Sequence, residues 1–315
     1  MKLDYRRDSR RDLEFLGLPS TDHSMPEDSN KTFSDGSHFG IEVSSCNTPE
    51  TLSAMLDFAA ERQLRIDRFM ECRGISRLTD SDIKAMATLC HQAGAGLYLS
   101  IGARAIYATG AFVRSKNGVR QGYRMVGSEQ LCQGLEEIRR AYDLGIRGFL
   151  VYDEGFLDVV GRLRSDGRLP ADIQLKFSVH AGCSNPASAS LLRRLGADCI
   201  NPVPDLSIAA LAGLRNVVDC PLDVFSDTAG DAGGLVRTHE VTDFIEKASP
   251  VYLKCGPVSQ PHQNHLPDER ELKERIRQTA CVVEEIQRNG SHLKRVTKEE
   301  PTLALTRAEE PAPVS

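Results

Sequence analysis

Short runs of apolar and β-branched residues recur through the middle of the chain, each leading into a segment of helical period. FGIEV (39–43) is the first run, and Thr48-Pro49-Glu50 then opens a segment carrying Leu52, Met55, Leu56 and Ala59. Pro in the first turn behind a Thr cap is a helix-start signal. IDRFMEC (66–72) is the second run, followed from Thr79 by Ile83, Met86, Ala87 and Cys90 at helical spacing. GLYLSIG (96–102) is the third, and a long excursion separates it from the helical segment that starts at Ser128. RGFLVYDEG (147–155) and IQLKFSVHAG (173–182) are the fourth and fifth, and Asn185-Pro186 starts a helix with Leu191, Leu192 and Leu195. DCIN (198–201), the end of NVVDCPLDVF (216–225) and PVYLKCG (250–256) complete the set, with helices after Asp205, near Thr238 to Ala248, and from Pro267 to Asn289-Gly290.

Strands alternating with helices predict parallel β/α units. Eight such units predict a (β/α)8 barrel of the TIM type, and no G-x-G-x-x-G follows the first strand to favour a doubly wound sheet. Residues 1–37, rich in Asp, Arg and Ser, read as a polar N-terminal tail. Residues 291–315 lack a sustained period and read as a C-terminal tail, loosely docked at most, which leaves one barrel domain over 38–290.

In such a barrel the chemistry lies at the C-terminal ends of the strands and in the loops beyond them. That rule collects an unusually polar rim: Glu42, Glu71, Arg73, Ser100, Arg104, Asp153, Glu154, Lys176, Ser178, His180, Asn185, Asn201, Asp223, Asp227 and Lys254. Parallel strands normally read as apolar runs because both faces are covered, so polar residues there need partners or a ligand. The fifth strand is the clearest case, with Lys176, Ser178 and His180 on one period-2 face. A lumen Lys–Glu pair can equally be a satisfied structural interaction. The glycine-rich loop SDTAGDAGGLVR (226–237) places Gly233 and Gly234 beside Asp231 and ends at Arg237 near a helix start, an arrangement suited to an anionic group.

Composition narrows the function classes. The chain has 315 residues, with 39 Lys and Arg against 44 Asp and Glu, for a formal charge of −5. That balance argues against bulk nucleic-acid binding. No apolar run is long enough to span a membrane, and the first residues lack a secretory pattern, so a cytoplasmic location is expected. The nine cysteines include no C-x-x-C pair and read as reduced thiols, with Cys90, Cys132 and Cys281 at core positions of helices. No H-x-H or H-E-x-x-H motif supports a metal centre. A divalent ion near His180 with Glu71 or Glu154 stays open, and His262 and His265 read as a solvated loop pair. Cys183 beside His180, or Lys176 or Lys254 as Schiff-base amines, are the nucleophile alternatives.

Several phrases together, ECRGISR (71–77), RGFLVYDEG (147–155), KFSVHAGCSNPASASLLRRLGADCINPVPDLS (176–207), CPLDVF (220–225), DAGGLVR (231–237) and SPVYLKCG (249–256), resemble a bacterial branch of the collagenase-like U32 peptidase family. The resemblance implies a barrel, a hydrolase label, and site positions at Glu71, Arg73, Glu154, Asn185, Asn201, Asp231, Arg237 and Lys254. It also implies relatives that assist oxygen-independent hydroxylation in biosynthesis with an iron–sulfur cluster on four cysteines. Only Cys183, Cys199 and Cys220 fall in the corresponding region here, widely spaced, which argues against a cluster. The reading is an enzyme acting on a small or peptide-like, anionic substrate at the barrel mouth. Glu154, His180 and Lys176 are its catalytic candidates, and Glu71, Arg73, Asn185, Asn201, Asp231, Gly233, Gly234, Arg237 and Lys254 bind substrate. A peptidase proper, a lyase or aldolase, a hydroxylase component and a non-catalytic subunit are the alternatives, and homo- or hetero-association is left open.

Overall fold

A computed structural model of the chain describes residues 5–22, 26–262, 265–298 and 300–307. Eight parallel strands close into a barrel in chain order. They are β1 (Phe39–Ser44), β2 (Arg68–Met70), β3 (Gly96–Ser100), β4 (Gly148–Val151), β5 (Gln174–Phe177), β6 (Cys199–Ile200), β7 (Leu222–Phe225) and β8 (Val251–Cys255). Closure comes from β8 pairing with β1, with Glu42 opposite Lys254, while the other edge of β1 sets Glu42 opposite Arg68.

Alternation along the strands sorts the side chains. Ile41, Val43, Phe69, Leu97, Leu99, Phe149, Leu175, Val224 and Leu253 point outward into one apolar core beneath the helices. The helices are α1 (Tyr5–Phe15), α2 (Pro49–Glu61), α3 (Asp80–Ala93), α4 (Gly127–Asp143), α5 (Glu154–Ser165), α6 (Pro186–Arg194), α7 (Ile208–Val217), α8 (Val241–Ala248) and α9 (Glu269–Asn289). Their starts follow the caps visible in the sequence. Thr48 and Thr79 accept from the N–H groups of Thr51 and Asp82, both at 3.2 Å, and Asn185 accepts from Ser188 at 2.9 Å. Of the helical cysteines, Cys90 is buried, Cys281 half-buried and Cys132 exposed, so Cys132 is not a core residue.

Two expectations are corrected. The fifth strand stops at Phe177, because the Ser178 hydroxyl accepts from His180 N at 3.2 Å and caps a 3-10 turn over Val179–Ala181. Lys176 and His180 therefore do not share one strand face. Among the described residues, parts of both tails are also more than loosely docked. Val296 N donates to Phe39 O at 2.7 Å, and Phe33, Val296, Leu303 and Ala304 are buried against the N-terminal end of the barrel. Leu303 O lies where a Cβ on Gly96 would come within 1.6 Å of it, so the closing segment packs directly on the β3 backbone. By contrast, α1 has no buried residue.

Candidate active site at the barrel mouth

The lumen holds a lattice of buried charges. Inward alternation brings Glu42 from β1, Arg68 from β2, Lys176 from β5, Asp223 from β7 and Lys254 from β8 together, all with fully buried side chains. Arg68 pairs with Glu42 through Nε, and its Nη2 lies 2.6 Å from Asp223 Oδ1. Lys176 pairs with Glu42 and lies 2.6 Å from Asp223 Oδ2, while Lys254 Nζ is 3.0 Å from Glu42 Oε1. Three cations thus face two carboxylates. Burial works against the Glu42 carboxylate, but Arg68, Lys176 and Lys254 more than reverse this and hold its pKa well below the usual range. Burial and the Arg68 charge pull Lys176 below the ordinary lysine value. Cys199 donates to Asp223 Oδ1 at 2.7 Å.

The mouth above this lattice is built by the loops after β2, β3, β4 and β5. Arg104, at 1% exposure, is its most enclosed cation. Its guanidinium carbon lies 4.7 Å from the ring centre of Tyr152, 4.9 Å from Tyr107 and 5.5 Å from Tyr123. Nη2 donates to Ile101 O at 2.9 Å, whereas Nε and Nη1 have no hydrogen-bond partner among the described residues. Tyr123 stacks in parallel on the His180 ring at 4.2 Å. Gly74 sits at φ +110°, and a Cβ there would fall 2.7 Å from the Gly102 Cα and 2.8 Å from Arg104 Nη2, so glycine lets the loop after β2 pack against the start of the excursion. Glu137 of α4 accepts from Gly102 N and fixes the start of the excursion after β3.

The sequence-selected residues divide into several environments. Glu71 is fully buried and accepts from the N–H groups of Arg73, Gly74 and Ser100, which orders the loop after β2; burial raises its pKa. Asn201 donates to Asp223 O at 2.7 Å and ties β6 to β7, and Asn185 is spent as the α6 cap. Arg237 is likewise engaged within the protein: it pairs with Glu240 and donates to Pro204 O and Leu206 O. Lys176 and Lys254 belong to the lumen lattice. Glu154 pairs with Arg124 from the excursion at about one-third exposure. His180, Asp231, Gly233 and Gly234 are exposed at the mouth, and the Asp231 charge reaches Tyr123.

Sequence reasoning missed Arg68, Tyr98 and Tyr252 in the lumen, and Tyr107, Tyr123 and Tyr152 at the mouth. Strand alternation carried a signal for some of them: R-F-M-E-C puts Arg68, Met70 and Cys72 on one face, and V-Y-L-K-C pairs Tyr252 with Lys254. Nothing periodic marks Tyr107 or Tyr123.

Among the described residues, no group of three or more His, Cys, Asp or Glu is placed to hold a metal ion. Cys183 and Cys220 lie in the outer core with thiols pushed up to about 12 by burial, while Cys199 faces the lumen. These three cysteines do not converge as cluster ligands would. A polar cavity of about 470 Å³ lined by Asp22, Glu27, Lys31 and α7 lies outside the barrel mouth. No described helix is long and apolar enough to cross a membrane.

Fold and site together define an eight-stranded parallel β/α barrel with a buried charge lattice and an arginine–tyrosine mouth. Among solved structures, the chain is similar to a U32 peptidase at 17% identity and a TM-score of 0.41, over 64% of this chain and 72% of that one. It is also similar to a truncated form of 3-deoxy-D-arabino-heptulosonate 7-phosphate synthase from Thermotoga maritima, at 10% identity and a TM-score of 0.47, over 90% and 97% of the two chains. Neither likeness carries an argument about activity. No protein-family model matches the sequence, and no curated protein matches it.

Proposed function

We propose that this chain is a barrel enzyme acting at its C-terminal mouth on a small or peptide-like anionic substrate, with His180 as the proton-transfer group. The observation that carries the reading is the charge of the excursion that forms one wall of the mouth. Residues 101–126 contain five Arg or Lys and no Asp or Glu, in a chain whose formal charge is −5. Below that wall the lumen adds three cations against two carboxylates. Such a field concentrates anions at the mouth and opposes cationic ligands. His180 supports the acid–base role because its imidazole is on the rim, is held by the Tyr123 stack, and belongs to the one side-chain type that titrates near neutrality unaided. Glu154, paired with Arg124, orients the excursion in this reading, and Lys176 stays in the lattice.

The test is a thermal-shift screen of the full chain against small carboxylates, sulfonates and phosphate esters at two ionic strengths, followed by turnover assays on the ligands found. Unstructured peptides are included in those assays. Anions are expected to raise the melting temperature, less so at high salt, and His180→Ala is expected to lower turnover by about 10²-fold or more while still binding. A screen in which no anion stabilises the protein, or a His180→Ala enzyme with full turnover, overturns the reading.

A further inference from the structure

We infer that Arg104 and its tyrosine enclosure form the anchor for a single carboxylate group, carried by a substrate with an apolar or aromatic body. This rests on the reading of the mouth as the substrate site and specifies what enters it. Burying an arginine is costly unless its donors are used, and a buried polar group without a partner calls for an explanation. Here the aromatic rings of Tyr107, Tyr123 and Tyr152 stabilise the positive charge without supplying acceptors to Nε or Nη1. Arg73 Nε, on the loop that packs against Arg104 through Gly74, is a second buried donor without a partner among the described residues. Two guanidiniums therefore hold open donors at one end of the barrel.

Charge selects the ligand class. Glu71 and Glu137 already lie within the field of Arg104. A phosphate dianion would bring two more negative charges to that enclosure, whereas a carboxylate brings one and accepts hydrogen bonds in the plane that guanidinium donors favour. The walls are phenol rings, which bury an apolar body more readily than a polyol. Tyr107 and Tyr123 cover the guanidinium from within the same excursion as Arg104, so the ligand reaches Arg104 when these two rings swing aside. A free carboxylic acid and the C-terminal carboxylate of a peptide present the same group to Arg104.

Titration of the full chain with benzoate, with Ala-Ala-Phe, with its C-terminal amide and with inorganic phosphate tests the assignment. Calorimetry and tyrosine absorbance serve as readouts, since the chain has seven Tyr and no Trp. Benzoate is expected to bind with a tyrosine difference signal, and Arg104→Met to weaken it by about tenfold or more, as expected for loss of a charged hydrogen bond. Arg104→Lys keeps the charge and is expected to lose a smaller part; it decides the matter if the Met variant does not fold. Ala-Ala-Phe binding well above its amide, with the same Arg104 dependence, assigns the carboxylate to a peptide end; benzoate binding without tripeptide binding assigns it to a free acid. Carboxylate binding unchanged in both variants overturns Arg104 as the anchor, and preference for phosphate overturns the carboxylate class while leaving an anion site at the mouth. If no anion of any class binds, the functional reading falls with it.

Discussion

Glu42 shows how one residue can govern the lumen. Its two oxygens take Arg68, Lys176 and Lys254 from three different strands, and all four side chains are fully buried. Replacing it with Gln leaves three buried cations facing Asp223 alone. Breaking a buried pair from one side costs roughly 3–5 kcal/mol, so Glu42→Gln is expected to lower the unfolding midpoint substantially in a denaturant titration. The pH dependence has a definite sign. The Glu42 pKa is depressed in the folded state, so its contribution is fully present above the ordinary value of 4.5 and is lost as the pH falls toward the folded one. The wild type is therefore expected to lose stability steeply below about pH 4.5, and Glu42→Gln to show a flatter acid limb. Equal acid limbs in the two proteins would remove Glu42 from this role. The residue scale is also where the sequence was least explicit. Lys176 and His180 look alike on a period-2 pattern, yet a single Ser178 hydroxyl turns the chain after Phe177 and sends one to the lattice and the other to the rim.

At the scale of elements, most of the architecture was legible. Short apolar runs, Thr-Pro and Asn-Pro helix starts and the Asn289-Gly290 stop correspond to strands and helices of the barrel because local hydrogen bonds and burial agree there. The excursion between β3 and α4 was legible only as a gap. It is built from 3-10 turns at Ala105–Tyr107, Phe112–Arg114 and Val119–Gln121, whose short span leaves no hydrophobic period, so Tyr107 and Tyr123 gave no pattern. It is tied to the barrel by Glu137 at Gly102 and by the Arg124–Glu154 pair. With about a third of each side chain exposed, that pair contributes less than about 1 kcal/mol to global stability. Glu154→Gln is accordingly expected to leave the melting temperature nearly unchanged while loosening the excursion. Limited trypsin digestion measures this, with faster cleavage expected at Arg114 and Lys116; an unchanged cleavage pattern would show that the pair does not restrain the loop.

Across the whole molecule, the two ends of the barrel are treated differently, and the chain termini account for the difference. At the mouth, buried donors of Arg73 and Arg104 have no partner among the described residues. At the opposite end the segment after α9 supplies partners to Arg68, Tyr98 and Tyr252. Thr302 O accepts from Arg68 Nη1 and from Tyr98 OH, both at 3.0 Å, and Thr302 Oγ1 lies 2.9 Å from the Tyr252 hydroxyl. Phe33, from the segment before β1, packs edge-on against Tyr252 at 5.0 Å. The segment after α9 therefore completes the coordination of Arg68, which with Lys176 joins Glu42 to Asp223, and its polar composition concealed that role because a backbone carbonyl does part of the work. Truncation after residue 290 would strip Arg68, Tyr98 and Tyr252 of these partners and uncover the apolar surface now held by Val296 and Leu303. Several buried groups left unsatisfied at about 1–3 kcal/mol each approach the total stability of an ordinary domain. The truncated chain is thus expected to be unfolded or aggregated at room temperature. Leu303→Ala, which removes buried carbon and keeps the Thr302 contacts, is expected to fold with a loss of about 2–5 kcal/mol. Circular dichroism melts of the two variants decide it: a truncated chain melting cooperatively at the wild-type temperature would show that the barrel closes its lower end without the terminal segment.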